Sequence, residues 1–503
     1  MHPLIIYPCT FGLLWLLHLY YTFNKTRGKL SAIPTVGSDS FIGAYFYAWK
    51  FFFRGFEIIQ EGYDKHYGTA FKIPALDASS GWVVVVSGAK LIDELKNAPR
   101  SQLSSFEVFK DVMELESTFN GYLNDSEFHV NAVRTGFNRS LVSRYSDLRE
   151  EVIVSVEKHF PMTKEWTPVP LVDSLAAVIC CVLNRLTVDA PLCREPGLLK
   201  LQVDFASNMI VAAAIVHLTP SALKPFVGRM VSRVPTIIDR LRKMMGPIVE
   251  ERLAQQAEFG KKWEGQPNDL ISWLLDHAPP ESSTVNDVLY RVMVINFAGV
   301  HTTSAVLASV LGRLACHPEY VEPLREEIER VVAQKGWTKD AILQMTKLDS
   351  FVTEATRVSG LSSLTVLRKA KEDFTFSNGL AIPKGTTVTA ATHSTHHDPR
   401  IYEEPGVFKG FRFVDQSREQ NGELMRSNFA SQSTGYLLFG LGHQSCPGRF
   451  VADVQVKTVV AHILLKYDIR LPEGQGDPFR SFSLGIHRVP STATKLLFRE
   501  RAI

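Results

Sequence analysis

Several kinds of chemistry are poorly provided for in this chain. Only six of its 503 residues are cysteine (Cys9, Cys180, Cys181, Cys193, Cys316 and Cys446). No two form a CxxC, and their spacing offers neither a disulfide framework nor a zinc ribbon. That scarcity suits a reducing compartment, with room for one cysteine kept for chemistry. Excess charge is lacking too: 55 basic against 52 acidic side chains leave +3, with no long basic run. The electrostatic footprint of a nucleic-acid partner is therefore missing. There is no internal repeat, and helix and strand patterns do not alternate as βα units would.

Asp, Glu, Lys and Arg are absent from Leu4 to Phe23, LIIYPCTFGLLWLLHLYYTF. As a helix rising about 1.5 Å per residue, this run spans about 30 Å, the hydrocarbon thickness of a bilayer. Tyr20, Tyr21 and Phe23 gather at its far end, where an interfacial belt would sit, and Lys25, Arg27 and Lys29 follow at once. The positive-inside rule then places the rest of the chain in the cytosol. A cleaved signal peptide would show a basic leader and a small-residue cleavage site, and neither is present. A buried core helix is the other competing reading. The expected organisation is an anchor with its basic flank over residues 1–30 and one body over 31–503. In that orientation the sequons at Asn124 and Asn138 face the cytosol and stay unmodified, and Asn24 carries a third.

Pro34 and Gly37 in SAIPTVGS mark a stiff turn between anchor and body. Ala70 to Leu76 and Trp82 to Gly88 have the composition of strands in a small early sheet. From about residue 140 to 335 the pattern is helical. The run SLAAVICCVLNRL is apolar nearly all round, which makes adjacent Cys180 and Cys181 core filling, not a reactive pair. Strand signals return from Asp373 to Ala390, with turns at Asn378-Gly379 and Pro383-Lys384-Gly385. The expected fold class is mainly α with small β-sheets.

One cysteine has distinctive company. The stretch FGLGHQSCPGRF, residues 439 to 450, sets Cys446 among Phe439, Gly440, Gly442, His443 and Gly448. A nucleophile could use His443 as its base. A zinc site would need four ligands, and H-x-x-C supplies two. A thiolate bound axially to haem iron needs little beyond the sulfur and a close backbone. For that use the glycines allow tight approach. Pro447 favours a helix start that would put the sulfur where free N–H groups stabilise an anion.

The run F-G-x-G-H-x-x-C-x-G resembles the haem-binding signature of the cytochrome P450 family, and further segments support that likeness. Glu354 and Arg357, in FVTEATRVSG, match the family's E-x-x-R pair, although Glu322/Arg325, Glu327/Arg330 and Glu423/Arg426 share the spacing. Position selects Glu354/Arg357, because it alone immediately precedes the strand pair and YEEPGVFKGFRF, the region that would supply Arg412. The implied role is a structural triad, Glu354–Arg357–Arg412. HHDP, His396 to Pro399, also fits, and a metal site there is the poorer reading. A long apolar helix, capped by Thr284-x-x-Asp287, carries AGVHTT over residues 298 to 303. This is similar to the family's oxygen-side segment, implying catalytic roles for Thr302 with neighbouring Thr303 and leaving Gly299 to open space above the iron. His301 departs from the pattern, standing where an acid is usual; an imidazole there could relay protons, point away or coordinate something itself. Arg368 resembles the arginine that meets a haem propionate. His129 and Arg134 resemble the helix that supplies further haem contacts. Val294, Ile295, Ala298, Leu364, Thr365 and Val366 are the pocket candidates.

The resemblance implies the triangular helical fold of that family, thiolate-ligated haem, and electrons from NADPH–cytochrome P450 reductase in the endoplasmic reticulum membrane. It also implies monooxygenation of a lipophilic small molecule, with CPGRF, HHDP and H-T-T pointing to fungal secondary metabolism and a terpenoid scaffold. The competing functions are a haem-thiolate isomerase or peroxygenase without external electrons, and a non-enzymatic membrane haem protein. The substrate, the carbon oxidised and the number of oxidations are not written in the sequence.

Overall fold

The computed structural model describes residues 16–17, 19–76, 78–119, 126–414, 417–420, 423–426, 428–474 and 481–502. Most of the apolar run before Leu19 and the Asn124 sequon lie outside the described residues. Residues 19–29 are helical.

The architecture is mainly helical with small sheets, as the sequence predicts. Its axis is the helix Val285–Cys316, which begins at the expected capping box: Thr284 Oγ1 accepts from the Asp287 N–H at 3.1 Å. Two described helices are long and apolar enough to cross a membrane, Pro196–His217 and Val285–Cys316. The second is mostly buried, and its apolarity serves the protein core. Leu171–Arg185, Val234–Phe259, Thr346–Ser359 and Arg449–Lys466 pack against it. Cys180 and Cys181 are buried in Leu171–Arg185, and burial pushes both thiols up, Cys180 beyond any reactive range.

The two early strands, Ala70–Pro74 and Trp82–Val86, do not stand alone. Trp82–Val86 pairs in parallel with Thr387–Ala391, which pairs with Leu364–Ala370, and Leu103–Ser104 closes a five-stranded sheet. Both early strands are buried throughout, which explains the unbroken apolar run of Trp82–Val86; Ala70–Pro74 is apolar but for Lys72. Parallel pairing over some three hundred residues has no local signature, so the sequence shows the strands and not the sheet. The later hairpin forms as expected, with Phe374–Thr375 against Ala381–Ile382 and Gly379 at φ 83° in its turn.

A buried lysine fastens the amino end to this sheet. Lys72 Nζ donates to the carbonyls of Leu30 (2.9 Å) and Ile33 (2.7 Å) and stands 5.4 Å from the centre of the Trp82 ring. Burial lowers its pKa, and Asp39 at 3.7 Å works in the opposite direction.

Candidate active site

The cysteine loop is held almost entirely by its backbone. Gly440 and Gly442 take φ of 68° and 70°, the left-handed region that favours glycine. A Cβ on Gly442 would lie 2.6 Å from the Lys96 carbonyl oxygen, whereas one on Gly448 would meet no protein atom within 4 Å. The Cys446 N–H donates to Phe439 O at 2.8 Å, and the Gly440 N–H to Leu437 O at 2.9 Å. Gln444 clamps the loop from the side, accepting from the Ser105 N–H and donating to Leu103 O, both at 2.8 Å. No motif drew attention to Gln444. The following helix starts at Arg449 with Gly448 as its cap, so Pro447 precedes the cap and is not the first helical residue. The expectation survives in altered form: the sulfur lies just ahead of the helix, and the N–H groups of Gly448 and Arg449 favour its thiolate. Burial pushes the thiol pKa up against them. Cys446 lies deep in the protein mass yet has an exposed side chain, because it faces a recess inside the fold. Phe439 is half-buried, its ring 5.1 Å from that of Phe429.

Cations without acids collect beside this loop. Arg368 is 2% exposed, donates to Leu367 O (2.9 Å) and Leu441 O (3.2 Å), and leaves Nε without a partner. Burial lowers its pKa to about 10. His129 is buried with Nδ1 unpartnered, and burial with the charges of Arg291 and Arg100 pushes it down to about 3. Arg134 donates to His443 O at 2.9 Å. The exposed His443 side chain is lowered by burial of its ring and by Arg368, Arg100 and Arg134. Among the described residues no carboxylate pairs with Arg134 or Arg368, while Arg100 pairs with Glu127. Arg100 was missed, since nothing in its local sequence marks it. A buried arginine without an acid costs free energy unless an anion meets it. The unsatisfied nitrogens of Arg368 and His129 therefore suit the carboxylates of a haem whose iron Cys446 would hold, and the residues fit the group.

The middle of the central helix presents a second open face. Ala298, His301 and Thr302 are exposed, although Val300, Thr303 and Ser304 beside them are buried. At about 100° per residue, Val294, Ile295, Ala298, His301 and Thr302 share one arc of about 120°. Thr303 lies outside that arc and is 4% exposed, so its expected partnership with Thr302 is corrected: it is a core residue. Thr302 Oγ1 donates to Ala298 O at 2.7 Å, the backward bond expected of a mid-helix threonine. His301 sets its ring against Phe297, centroids 5.9 Å apart, and makes no hydrogen bond through its side chain to another described residue. Burial lowers its pKa, so the imidazole is neutral at pH 7.

Three further expectations change. Gly299 does not open the recess, since a Cβ there would lie 2.8 Å from Leu183 Cδ1; its smallness lets two helices approach. Leu364 is 1% exposed and packs in a cluster with Ile58, Phe71 and Val85, so its side chain is core and not an open wall. Thr365 commits its hydroxyl to Leu437 O (2.9 Å) and Thr392 Oγ1 (2.6 Å), acting as a strap on the segment that enters the cysteine loop. Strand alternation turns neighbours to opposite faces, and an irregularity between Thr365 and Arg368, with Val366 at φ 56°, re-aims the remainder of the strand.

The triad is assembled. Arg357 binds Glu354 through two bonds of 2.7 and 2.8 Å, and Arg412 Nε reaches Glu354 Oε1 at 3.0 Å. Glu354 and Arg357 are fully buried. The rival spacings serve other ends: Glu322 is 65% exposed beside Arg325, and Glu327 accepts from the N–H groups of Lys347 and Leu348.

A sulfur ahead of a helix, acid-free cations beside it and an opened core helix define a protein built around an anionic, thiolate-bound prosthetic group. The comparisons agree. The profile described as Cytochrome P450 matches residues 45–495, and the chain belongs to that family. Cytochrome P450 monooxygenase 71 of Postia placenta is 34% identical over 98% of this chain and 97% of its own length. Cytochrome P450 monooxygenase paxQ of Penicillium paxilli is 31% identical over 92% and 90%. The retinoic acid-bound cyanobacterial CYP120A1 superposes with a TM-score of 0.67, covering 93% of this chain and 98% of that one; at 17% identity this is a likeness of fold. The chain is thus a cytochrome P450 monooxygenase by family, with the thiolate-ligated haem and reductase-supplied electrons that the family uses.

Proposed function

We propose that the protein inserts oxygen into a lipophilic small molecule, with Cys446 as the haem ligand. The observation that carries this is the Cys446 sulfur, deep in the protein mass yet accessible and set just ahead of a helix, where burial raises its pKa and the Gly448 and Arg449 N–H groups oppose that rise. When bound, haem supplies the reductive activation of oxygen that attack on an unreactive C–H bond requires. The chain's own residues do the rest. Arg368, His129 and His443 would hold the carboxylate side of the bound haem, and Arg134 fixes the loop through His443 O. Ile295 and Ala298 give the substrate an apolar wall, which favours lipophilic compounds, whereas Val294, expected beside them, is 5% exposed and belongs to the core. Thr302 holds a hydroxyl proton on Ala298 O, poised to be passed inward. Neutral His301, free of other bonds to described residues, can take and return a proton where an acid is usual.

Residues 1–30 are proposed as a single-pass anchor in the endoplasmic reticulum membrane, with 31–503 as the cytosolic haem domain served by NADPH–cytochrome P450 reductase. On the helix Phe41–Lys65, Ile42 is 81% and Phe46 69% exposed, with Trp49 and Phe53 in line below them. Phe41 of that helix touches Tyr20 and Phe23, so this apolar stripe continues the surface of the amino-terminal helix. The substrate class to test first is a terpenoid scaffold of secondary metabolism, the class to which CPGRF, HHDP and the His301 variant point.

Cys446→Ala must abolish the carbonyl band of the reduced protein at about 450 nm, and survival of that band overturns the ligand assignment. Metabolite profiling with a reductase and several terpene skeletons tests the substrate; conversion only of non-terpenoid lipids removes the terpenoid reading. Turnover that ignores NADPH would favour the isomerase or peroxygenase alternative.

A further inference from the structure

The acid–arginine triad and the cysteine loop are joined through one imidazole. His396 is 1% exposed and stacks on Tyr436, with ring centroids 5.3 Å apart and planes 14° apart. Its backbone carbonyl accepts from Arg357 Nη1 at 2.6 Å. Its Nε2 accepts the N–H of Leu437 at 2.9 Å, which places the ring proton on Nδ1. Leu437 opens the irregular segment that runs into the loop, and its carbonyl takes bonds from Thr365 Oγ1 and the Gly440 N–H, both 2.9 Å. Two residues on, Phe439 O holds the N–H of Cys446. The triad helix also grips the stacked partner, since Thr356 Oγ1 and Tyr436 Oη lie 2.9 Å apart.

We infer that His396 is a positioning residue, coupling Glu354–Arg357–Arg412 to the Cys446 loop by accepting the Leu437 N–H. The inference rests on reading Cys446 as the haem ligand. A peptide N–H as deeply placed as that of Leu437 has no water to turn to, so losing its acceptor costs the full desolvation of that group. The segment would then relax toward any partner it could find, and Phe439 O and the Cys446 sulfur would move with it. The acceptor must also remain an acceptor. Burial, with the charges of Arg357 and His397, holds the His396 pKa at about 3, so the ring is neutral and Nε2 keeps its lone pair at working pH. The triad fixes the His396 backbone while the ring fixes Leu437. A purely local turn could not transmit order between segments this distant in sequence.

The test compares two substitutions in the haem-loaded protein. His396→Leu keeps an apolar body against Tyr436 and removes the acceptor; His396→Gln offers an amide oxygen to the same N–H. In the leucine variant the amides of Leu437, Gly440 and Cys446 should exchange about tenfold faster or more. The reduced carbonyl band at about 450 nm should give way to a shorter-wavelength one at equal haem content. Glutamine should restore most of both. Equal loss in the two variants would reduce His396 to a packing residue, and an unchanged leucine variant would remove the coupling; either result overturns the inference. Should the leucine variant fail to accumulate, a backbone ester at Leu437 deletes the N–H with His396 intact and must shift the band in the same way; an unshifted band overturns the inference. Absence of the 450 nm band in the unmodified protein would instead strike the ligand assignment.

Discussion

The cysteine loop and the middle of the central helix, the two sides of the site in the proposed function, are built on opposite principles. From Leu437 to Cys446 the loop is tied by Thr365, His396, Arg368, Gln444 and Arg134, mostly backbone to side chain. Around Ala298 the helix has its regular ladder and a few added side-chain bonds to its own carbonyls, from Asn296, Thr302 and Ser304. The loop has no regular structure to satisfy its peptide groups, so distant side chains must do it. The helix satisfies its own, which frees Ala298, His301 and Thr302 to face a variable guest. On the proposed function, the tied loop would hold the ligand and the open helix face would meet the substrate.

The sharpest way to break the tied side is Glu354→Ala, which strands Arg357 and Arg412 without their carboxylate. We expect a loss of about 3–5 kcal/mol in denaturant unfolding, with little haem retained. Gly442→Ala attacks the same loop by sterics and should cost about 2–3 kcal/mol, from the positive φ and the Lys96 carbonyl 2.6 Å away. On the open side, Thr302→Val should leave the thermal midpoint unchanged and lower turnover about 10²-fold. Equal damage to stability would mean the hydroxyl serves the fold alone.

Acid should weaken the tied side through a histidine in the helix beyond Cys446. His462 is buried with Nε2 unpartnered, and burial with Arg149 and Lys466 pushes it down to about 4 from an ordinary 6.5. Above pH 6.5 neither folded nor unfolded chain protonates it. As pH falls from 6.5 toward 4 the unfolded chain gains a proton that the folded one refuses. His462→Leu should therefore recover about 2 kcal/mol of the stability lost between pH 7 and pH 5, read from denaturation midpoints at both. The mildest test concerns adjacent residues on different faces. Gly299→Ala should cost about 1 kcal/mol against Leu183 and leave substrate affinity alone, whereas Ala298→Leu should change substrate affinity and leave stability alone.

Much of the molecule is legible in the sequence where the information is local. The Thr284 cap, the hairpin at Gly379, the early strands and the cysteine loop all arise from residues within a few positions of each other. Facing is not legible. Thr303, Gly299, Leu364 and Thr365 were each expected at the recess and each turns elsewhere, because a side chain's direction depends on which element packs against it. Arg100, Gln444 and His396 gained their places from segments brought alongside after folding.

By itself the sequence determined the reactive chemistry: which cysteine stands ahead of a helix, which glycines can bend toward it, and which helix runs through the core. Those are properties of short stretches, governed by turn geometry, capping and periodicity. Only the tertiary structure decided which E-x-x-R pair is buried, which cations lack acids, and how the triad reaches the cysteine loop. Each of these depends on desolvation and on contacts between residues far apart along the chain, and burial sets their energies.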